Sequence, residues 1–383
     1  MGLGILTIVI MLFILVRRTE APSRHRGQDR PASRSTDTDN SRVTMLATGD
    51  WIAHDAINAA AQTETGYDYS SMTKPFNNIF AQSDVNFCNL ATLAGGEEFG
   101  ITGYPVFNAP LEWNRDMAGL GCNVINTGTN HTNDKGQGPI TAELNDWDKI
   151  QGVLAVAGAN RNQEEQQKVR YFEEKGVKFA FLSYSTYSNT PNPHPYSLNR
   201  FEDSLVLPQM QEAKANADIV IVSMRWGTEY SDDVNSAQIS AAQKLAGLGA
   251  DIILGHGTHT LQAVDKLTQP DGSETIVWYG LGNFLNAQLE VGGLTGCVAR
   301  LTIDTSSKNI SSNECLPFYQ HYDWSATDKA NENLMARKNF LIMPLYQAQD
   351  YISKSQLGTS VEEQTARIQK AVNSRIQVKL INN

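Results

Sequence analysis

The chain has 383 residues, 41% of them hydrophobic and 19% charged, which excludes wholesale disorder, collagen-like repeats and a polytopic membrane protein. That length holds one large α/β domain with appendages, or two domains. The 31 Lys and Arg against 41 Asp and Glu give −10 at pH 7; residues 17–42 carry seven Arg against four acids, so the remainder stands at −13, which argues against a nucleic-acid partner.

Residues 1–16, MGLGILTIVIMLFILV, contain no charge and are followed at once by Arg17 and Arg18. They read as an uncleaved, single-pass N-terminal anchor, because no small-x-small cleavage site follows the apolar run. As a helix the run covers roughly 24 Å, short of the roughly 30 Å hydrocarbon core. The two arginines favour a cytoplasmic body by the positive-inside rule. Residues 17–42 are rich in Arg, Ser, Thr, Asp and Pro without apolar periodicity, the composition of a solvated tether.

From Val43 onward short β-branched runs alternate with helical patterns. Strands are expected at 43–50, 85–90, 123–128, 153–158, 178–185, 218–224 and 251–256. Helices are expected at 111–121, 139–152, 207–217 and 236–250, several stopped by Gly. Such alternation implies a largely parallel sheet with right-handed crossovers. After about residue 260 the pattern changes: Pro270-Asp271-Gly272 marks a turn between two strands, and a second sheet is expected to begin there. Residues 294–322 read as another hairpin and 340–378 as two helices, so the body divides into 43–290 and a C-terminal part, 291–383, packing on it. Cys88, Cys122, Cys297 and Cys315 lack C-x-x-C spacing and read as buried free thiols, although Cys297 and Cys315 lie on two arms of one hairpin, where a disulfide can form.

In open α/β sheets functional groups gather at the carboxyl ends of strands. Those ends carry Gly49-Asp50, Asn89-Leu90, Asn130-His131 with Asp134 and Gly136, Arg225-Trp226-Gly227-Thr228-Glu229-Tyr230, and Gly255-His256-Gly257-Thr258-His259. Asp, Asn and His are the ligand types of Zn, Mn or Fe(II). Taken singly, Asp50 reads as well as a helix N-cap and Asn130-His131 as a turn. His256-x-x-His259 is the sharper signal, since two imidazoles and two glycines in five residues at a strand end have little packing use. His54, His194 and His321 read as surface or satisfied residues. Gly119-Leu-Gly121 and Gly280-Leu-Gly282 lack the third glycine of a dinucleotide site.

This order of motifs, extended by Tyr279-Gly-Leu-Gly-Asn283-Phe284, resembles the CapA family of capsule and poly-γ-glutamate synthesis proteins over roughly residues 43–288. The resemblance implies a metallophosphoesterase-like four-layer α/β/β/α sandwich on a membrane anchor. It implies a role in making or exporting polyglutamate, with an extracytoplasmic body, which outweighs the arginine argument. It also implies metal ligands at Asp50, Asn130, His131, His256 and His259, catalytic roles for His131 and His256, and substrate contacts from Glu229 and Asn283; for Arg225 a catalytic and substrate-binding role is expected from its own guanidinium chemistry. Its partners would be the membrane, polyglutamate or another anionic polymer, and other capsule-synthesis membrane subunits.

Several departures fall on the chemistry. Where the family usually has Arg after Gly-Asp, Asp55 stands; Asn-Leu-Glu becomes Asn89-Leu90-Ala91; Asn-Asn-His becomes Thr129-Asn130-His131; His-Trp-Gly becomes Arg225-Trp226-Gly227. A guanidinium cannot ligate a metal, and its charge opposes one nearby. At most one tightly held divalent metal is therefore expected. Arg225 would either grip a phosphate or carboxylate, or pair with Glu229 or Asp50 in the vacated space. Three readings follow: a capsule-synthesis protein with an impaired cleft, an active metal-dependent hydrolase of a phosphoester or amide, and a non-enzymatic polyanion-binding module.

Overall fold

The computed structural model describes residues 39–355 and 357–382. The expected anchor and nearly all of the tether lie outside them, and no helix among the described residues is long and apolar enough to cross a membrane.

The expected strands form in order: β1 (Arg42–Trp51), β2 (Val85–Leu90), β3 (Val124–Asn126) and β4 (Ala155–Ala157). After them come β5 (Arg170–Glu174), β6 (Val177–Ser185), β7 (Ile219–Arg225) and β8 (Ile252–His256). Strands β2, β7 and β8 are buried along their whole length, which is why they read as unbroken runs instead of alternating ones. The helices between them are α1 (Glu112–Leu120), α2 (Gln137–Trp147), α3 (Asp203–Asn216) and α4 (Ser236–Gly247). Gly121, at φ +121°, stops α1, and an Asn235–Gln238 capping box starts α4.

Beyond them lie β9 (Val264–Thr268), β10 (Glu274–Trp278), β11 (Asn283–Leu285), β12 (Thr295–Asp304), β13 (Ile310–Asp323), β14 (Lys338–Pro344) and α5 (Val361–Val372). The first sheet runs β14-β13-β12-β1-β2-β3-β4, with β11 also pairing β1. The second runs β9-β10-β8-β7-β6-β5. Strands β1 to β4 are mutually parallel, as are β6, β7, β8 and β10.

One apolar core lies between the sheets, joining Met45, Phe87 and Val124 of the first to Phe179, Ile221 and Trp278 of the second. A second core covers the outer face of the first sheet with Trp113 and Met117 of α1, and a third covers the second sheet with Met210 of α3 and Leu245 of α4. Each of these wholly buried Ile, Leu, Met and Phe side chains contributes roughly 1.5–3 kcal/mol. The layers therefore run helix, sheet, sheet, helix.

Three expectations are corrected. The second sheet begins at Arg170, not after 260. Its opening hairpin turns at Lys175-Gly176, both at positive φ, and its outer strand β5 is too polar to look like a buried one. Residues 338–344 form an edge strand on β13, so the two helices of 340–378 begin only after it, as a single turn at Gln349–Ile352 and the longer α5. The cysteines are not free thiols: Cys88 of β2 pairs with Cys122 just beyond α1, and Cys297 of β12 with Cys315 of β13, so none among the described residues is free. A separation of 34 residues hides the first pair from spacing arguments, because only the packing of α1 on β2 brings its Cα atoms to 5.7 Å.

The loop after β2 is anchored from below by Glu143 of α2, whose Oε2 accepts the Ala94 N–H at 2.7 Å. Burial, with some repulsion from Asp146, raises the Glu143 carboxyl to about 8 despite that bond. Between pH 4.5 and 8 the folded state therefore holds a proton that the unfolded chain has released, and stability falls as pH rises through that window. Glu143→Gln keeps an acceptor without the charge. Its melting curve should match the parent near pH 4.5 and gain roughly 2–4 kcal/mol by pH 8.5. Parallel pH profiles for the two proteins would refute this.

Candidate functional site

The carboxyl ends of β1, β2 and β3 meet those of β7 and β8 around a small cavity of about 30 Å³. Asp50, Asn130, His131, Arg225, His256 and His259 all line it, with His54, Ala91 and Phe107 among the other wall residues. A wider cavity of about 780 Å³, lined by His321, Trp324 and Tyr351, gathers none of these groups.

Asp50 ends β1 where the chain must pass close to β11. Its N–H donates to Gly282 O at 2.9 Å, and a Cβ on Gly49 would lie 2.0 Å from that same oxygen, so only Gly precedes it. Asp50 Oδ1 accepts from Asn89 Nδ2 at 2.5 Å and from Gly257 N at 3.3 Å. Its Oδ2 lies 2.9 Å from His259 Nδ1, yet no hydrogen bond of proper geometry reaches it. Burial alone would raise the Asp50 carboxyl; contact with His259 and the nearby cationic charge, Arg225 included, bring it below the usual carboxylate range. It is an anion in the folded protein.

His256 is wholly buried, and burial takes its pKa down to about 3 against the pull of Asp50, so the ring is neutral. Its Nε2 meets Ser223 Oγ at 2.9 Å and Asn126 Nδ2 at 3.2 Å, while Nδ1 has no hydrogen bond and lies 4.0 Å from Asp50 Oδ1. Asn126 Nδ2 also donates to Asn89 Oδ1 at 2.6 Å, and Ser183 donates to Asn126 Oδ1. A chain of buried amides and hydroxyls thus ties Asp50 to His256 from beneath.

His131 is turned by Asp134, with Nδ1 2.7 Å from Oδ2, and its edge packs on Phe107. His259, at φ +61°, has Nδ1 2.9 Å from Asn283 Oδ1. Asn283 therefore sits behind His259, fully buried and outside the cavity wall, and positions that ring.

Arg225 is the unusual member. Only 1% exposed, it donates from Nε to Asn130 Oδ1 at 2.7 Å, from Nη1 to Trp226 O at 3.3 Å and from Nη2 to Glu229 Oε1 at 2.7 Å. Nη2 also bonds the Tyr187 hydroxyl, and the guanidinium lies 4.6 Å from the Tyr187 ring centre. Of the two pairings weighed from the sequence, the one with Glu229 forms.

A two-metal centre does not fit these residues. The Asn130 oxygen is taken by Arg225, Ala91 offers no ligand, and among the described residues no three His, Cys, Asp or Glu come together as a metal-holding group. Asp50 Oδ2 is paired with His259, and His256 Nδ1, which has no hydrogen bond, marks an unsatisfied polar spot.

Sequence reasoning missed three contributors. His54 stands in the cavity wall, its Nδ1 accepting the Ala287 N–H at 3.1 Å, and burial, then His259 and Arg337, take its pKa down to about 3. Ser223 lies inside the apolar run of β7 and Asn126 ends β3; a buried carboxamide closing a strand was the available signal for the latter. His321 is satisfied by Tyr319 and Asp323, and His194 stacks on Tyr196, as expected of them.

Two facing sheets with a polar cleft at their strand ends define a layered α/β protein with one polar site between its sheets. The sequence profile described as "Bacterial capsule synthesis protein PGA_cap" matches residues 44–288, well over half the chain, so the chain belongs to that family. The PGA biosynthesis protein CapA of Bacillus subtilis (strain 168) is 31% identical over 170 residues, 42% of this chain and 42% of that relative. The capsule biosynthesis protein CapA of Bacillus anthracis is 25% identical over 297 residues, 74% of this chain and 67% of the relative. Among solved structures, a novel phosphatase from Mycoplasma pneumoniae is 13% identical with TM-score 0.43, covering 72% of this chain and 93% of its own. A hypothetical protein from Thermus thermophilus is 14% identical with the same TM-score, covering 72% and 98%. Those two likenesses are too distant to carry an argument.

Proposed function

We propose that this chain is a CapA-type component of capsular poly-γ-glutamate synthesis or export, held at the cell membrane with its body outside, whose metallophosphoesterase-like cleft binds an anionic chain and performs no two-metal hydrolysis. The observation that carries this reading is the buried Arg225, which places a fixed cation in the cleft and takes the Asn130 oxygen. The Cys88–Cys122 disulfide suits an oxidising compartment, and the uncharged run at residues 1–16 suits an anchor. A hydrolase holding one Zn, Mn or Fe ion at Asp50 and His256 is the second reading, favoured by the His256 Nδ1 that has no hydrogen bond and faces the Asp50 carboxylate.

Full-length protein, purified and dialysed, should keep at most one equivalent of transition metal and bind γ-linked oligoglutamate without added metal. Trypsin added to intact, wall-stripped cells should release a soluble fragment starting near Val43. Two tightly held equivalents would overturn the first part. Release only after lysis would overturn the location.

A further inference from the structure

Glu229 stands apart from the other charged groups around the cleft. Its side chain is 39% exposed, whereas its partner guanidinium is 1% exposed. One carboxylate oxygen, Oε1, receives both Arg225 Nη2 at 2.7 Å and the Tyr187 hydroxyl at 3.0 Å. Arg225 is held independently by Asn130, by the Trp226 carbonyl and by stacking on Tyr187, so it does not need Glu229 to stay in place. A preorganised cation and hydroxyl donor at the rim are thus covered by one carboxylate on a half-exposed side chain, four residues along the same chain.

We infer that Glu229 is an internal competitor: its γ-carboxylate occupies the place that a carboxylate of a glutamate-type chain takes on Arg225 Nη2 and Tyr187 Oη, and ligand entry displaces it. This rests on the anion-binding reading above and adds a built-in gate at that site. The ligand class follows from the occupant, since the donors already accommodate a glutamate carboxylate, and a planar carboxylate matches a guanidinium edge. Glu229 is the exposed half of the pair, so its carboxylate can leave for solvent while an incoming carboxylate keeps the buried guanidinium paired, and the exchange leaves no buried charge uncompensated.

The test is a titration of the full-length protein by calorimetry with glutarate, γ-linked triglutamate and inorganic phosphate. Glu229→Gln should tighten glutarate and triglutamate binding on the order of tenfold and leave phosphate the weakest ligand. Asp232→Asn removes an exposed carboxylate from the same loop that faces Arg367, and should change affinity little. Tyr187→Phe, which keeps the ring under the guanidinium, should weaken carboxylate binding several-fold. Unchanged or weaker binding in Glu229→Gln, or an equal gain in Asp232→Asn, overturns the gate while leaving an anion site intact. Phosphate binding as tightly as glutarate overturns the carboxylate assignment. No binding of any of the three to parent or variant overturns the anion-site reading itself.

Discussion

Gly257→Ala is expected to destabilise the protein by about 3–5 kcal/mol, although it adds a single methyl group. Gly257 follows β8 at φ +87°, and a Cβ there would lie 2.1 Å from Arg225 Nε and 2.2 Å from its Cδ and Cζ. Nothing soft is available to move, because Arg225 is pinned by Asn130, Glu229, Tyr187 and the Trp226 carbonyl. The glycine of Gly-His-Gly is therefore the floor under the guanidinium as well as a turn. Gly136→Ala separates the two effects: its φ is +80° and no atom lies within 4 Å of the added carbon, so it bears only the backbone strain, about 1–3 kcal/mol. In denaturant melts Gly257→Ala should lose clearly more than Gly136→Ala. Combining it with Arg225→Ala should recover the difference, a non-additivity expected of atoms that compete for one space. Equal losses at the two glycines would show that Arg225 is not seated where the contacts place it.

The residues at the cleft were legible because strand ends announce themselves: an uninterrupted apolar run that stops at Gly, Asp, Asn or His has left the core. That signal located Asp50, Asn130, His131, Arg225, His256 and His259, and the structure brings all six to one cavity. It did not reveal Ser223, a single polar residue that does not break the hydrophobic run of β7, or Asn126, which ends β3 but falls within the longer strand expected at 123–128. Nor could it separate the two sheets. Parallel strands buried on both faces look alike in either layer, and the boundary is set by β5, whose mixed polarity resembles a loop. His54 escaped for a different reason: it lies outside the strand-end motifs and enters the wall through tertiary packing on Phe107 and a bond from Ala287 N. Asn283 was legible as a site residue but not as the support behind His259, because register with Asp50 on the neighbouring strand decides where it lies.

Ala91→Glu combined with Arg225→His is expected to raise bound transition metal from at most one equivalent to two, and hydrolysis of a generic phosphodiester on the order of a hundredfold. Ala91 is buried in the cavity wall beside Ile52 and Phe107, with its backbone fixed by Trp51 O and by the Thr129 hydroxyl, so a longer side chain there is directed into the cleft. The carboxylate alone should bring no metal: it would be drawn to the Arg225 guanidinium, and the Asn130 oxygen would remain occupied. Arg225→His alone frees that oxygen and removes the opposing charge, but supplies no acid and leaves Glu229 without its cation. Only the pair adds a carboxylate and an imidazole beside the Asp50 carboxylate and the free His256 Nδ1, so the gain in metal should greatly exceed the sum of the single changes. Metal content read by mass spectrometry on protein shown to be folded by its melting curve settles the matter independently of activity. If the folded double variant binds no more metal than the parent, the cleft is not an altered two-metal centre, and Arg225 belongs to a site that was built around an anion from the start.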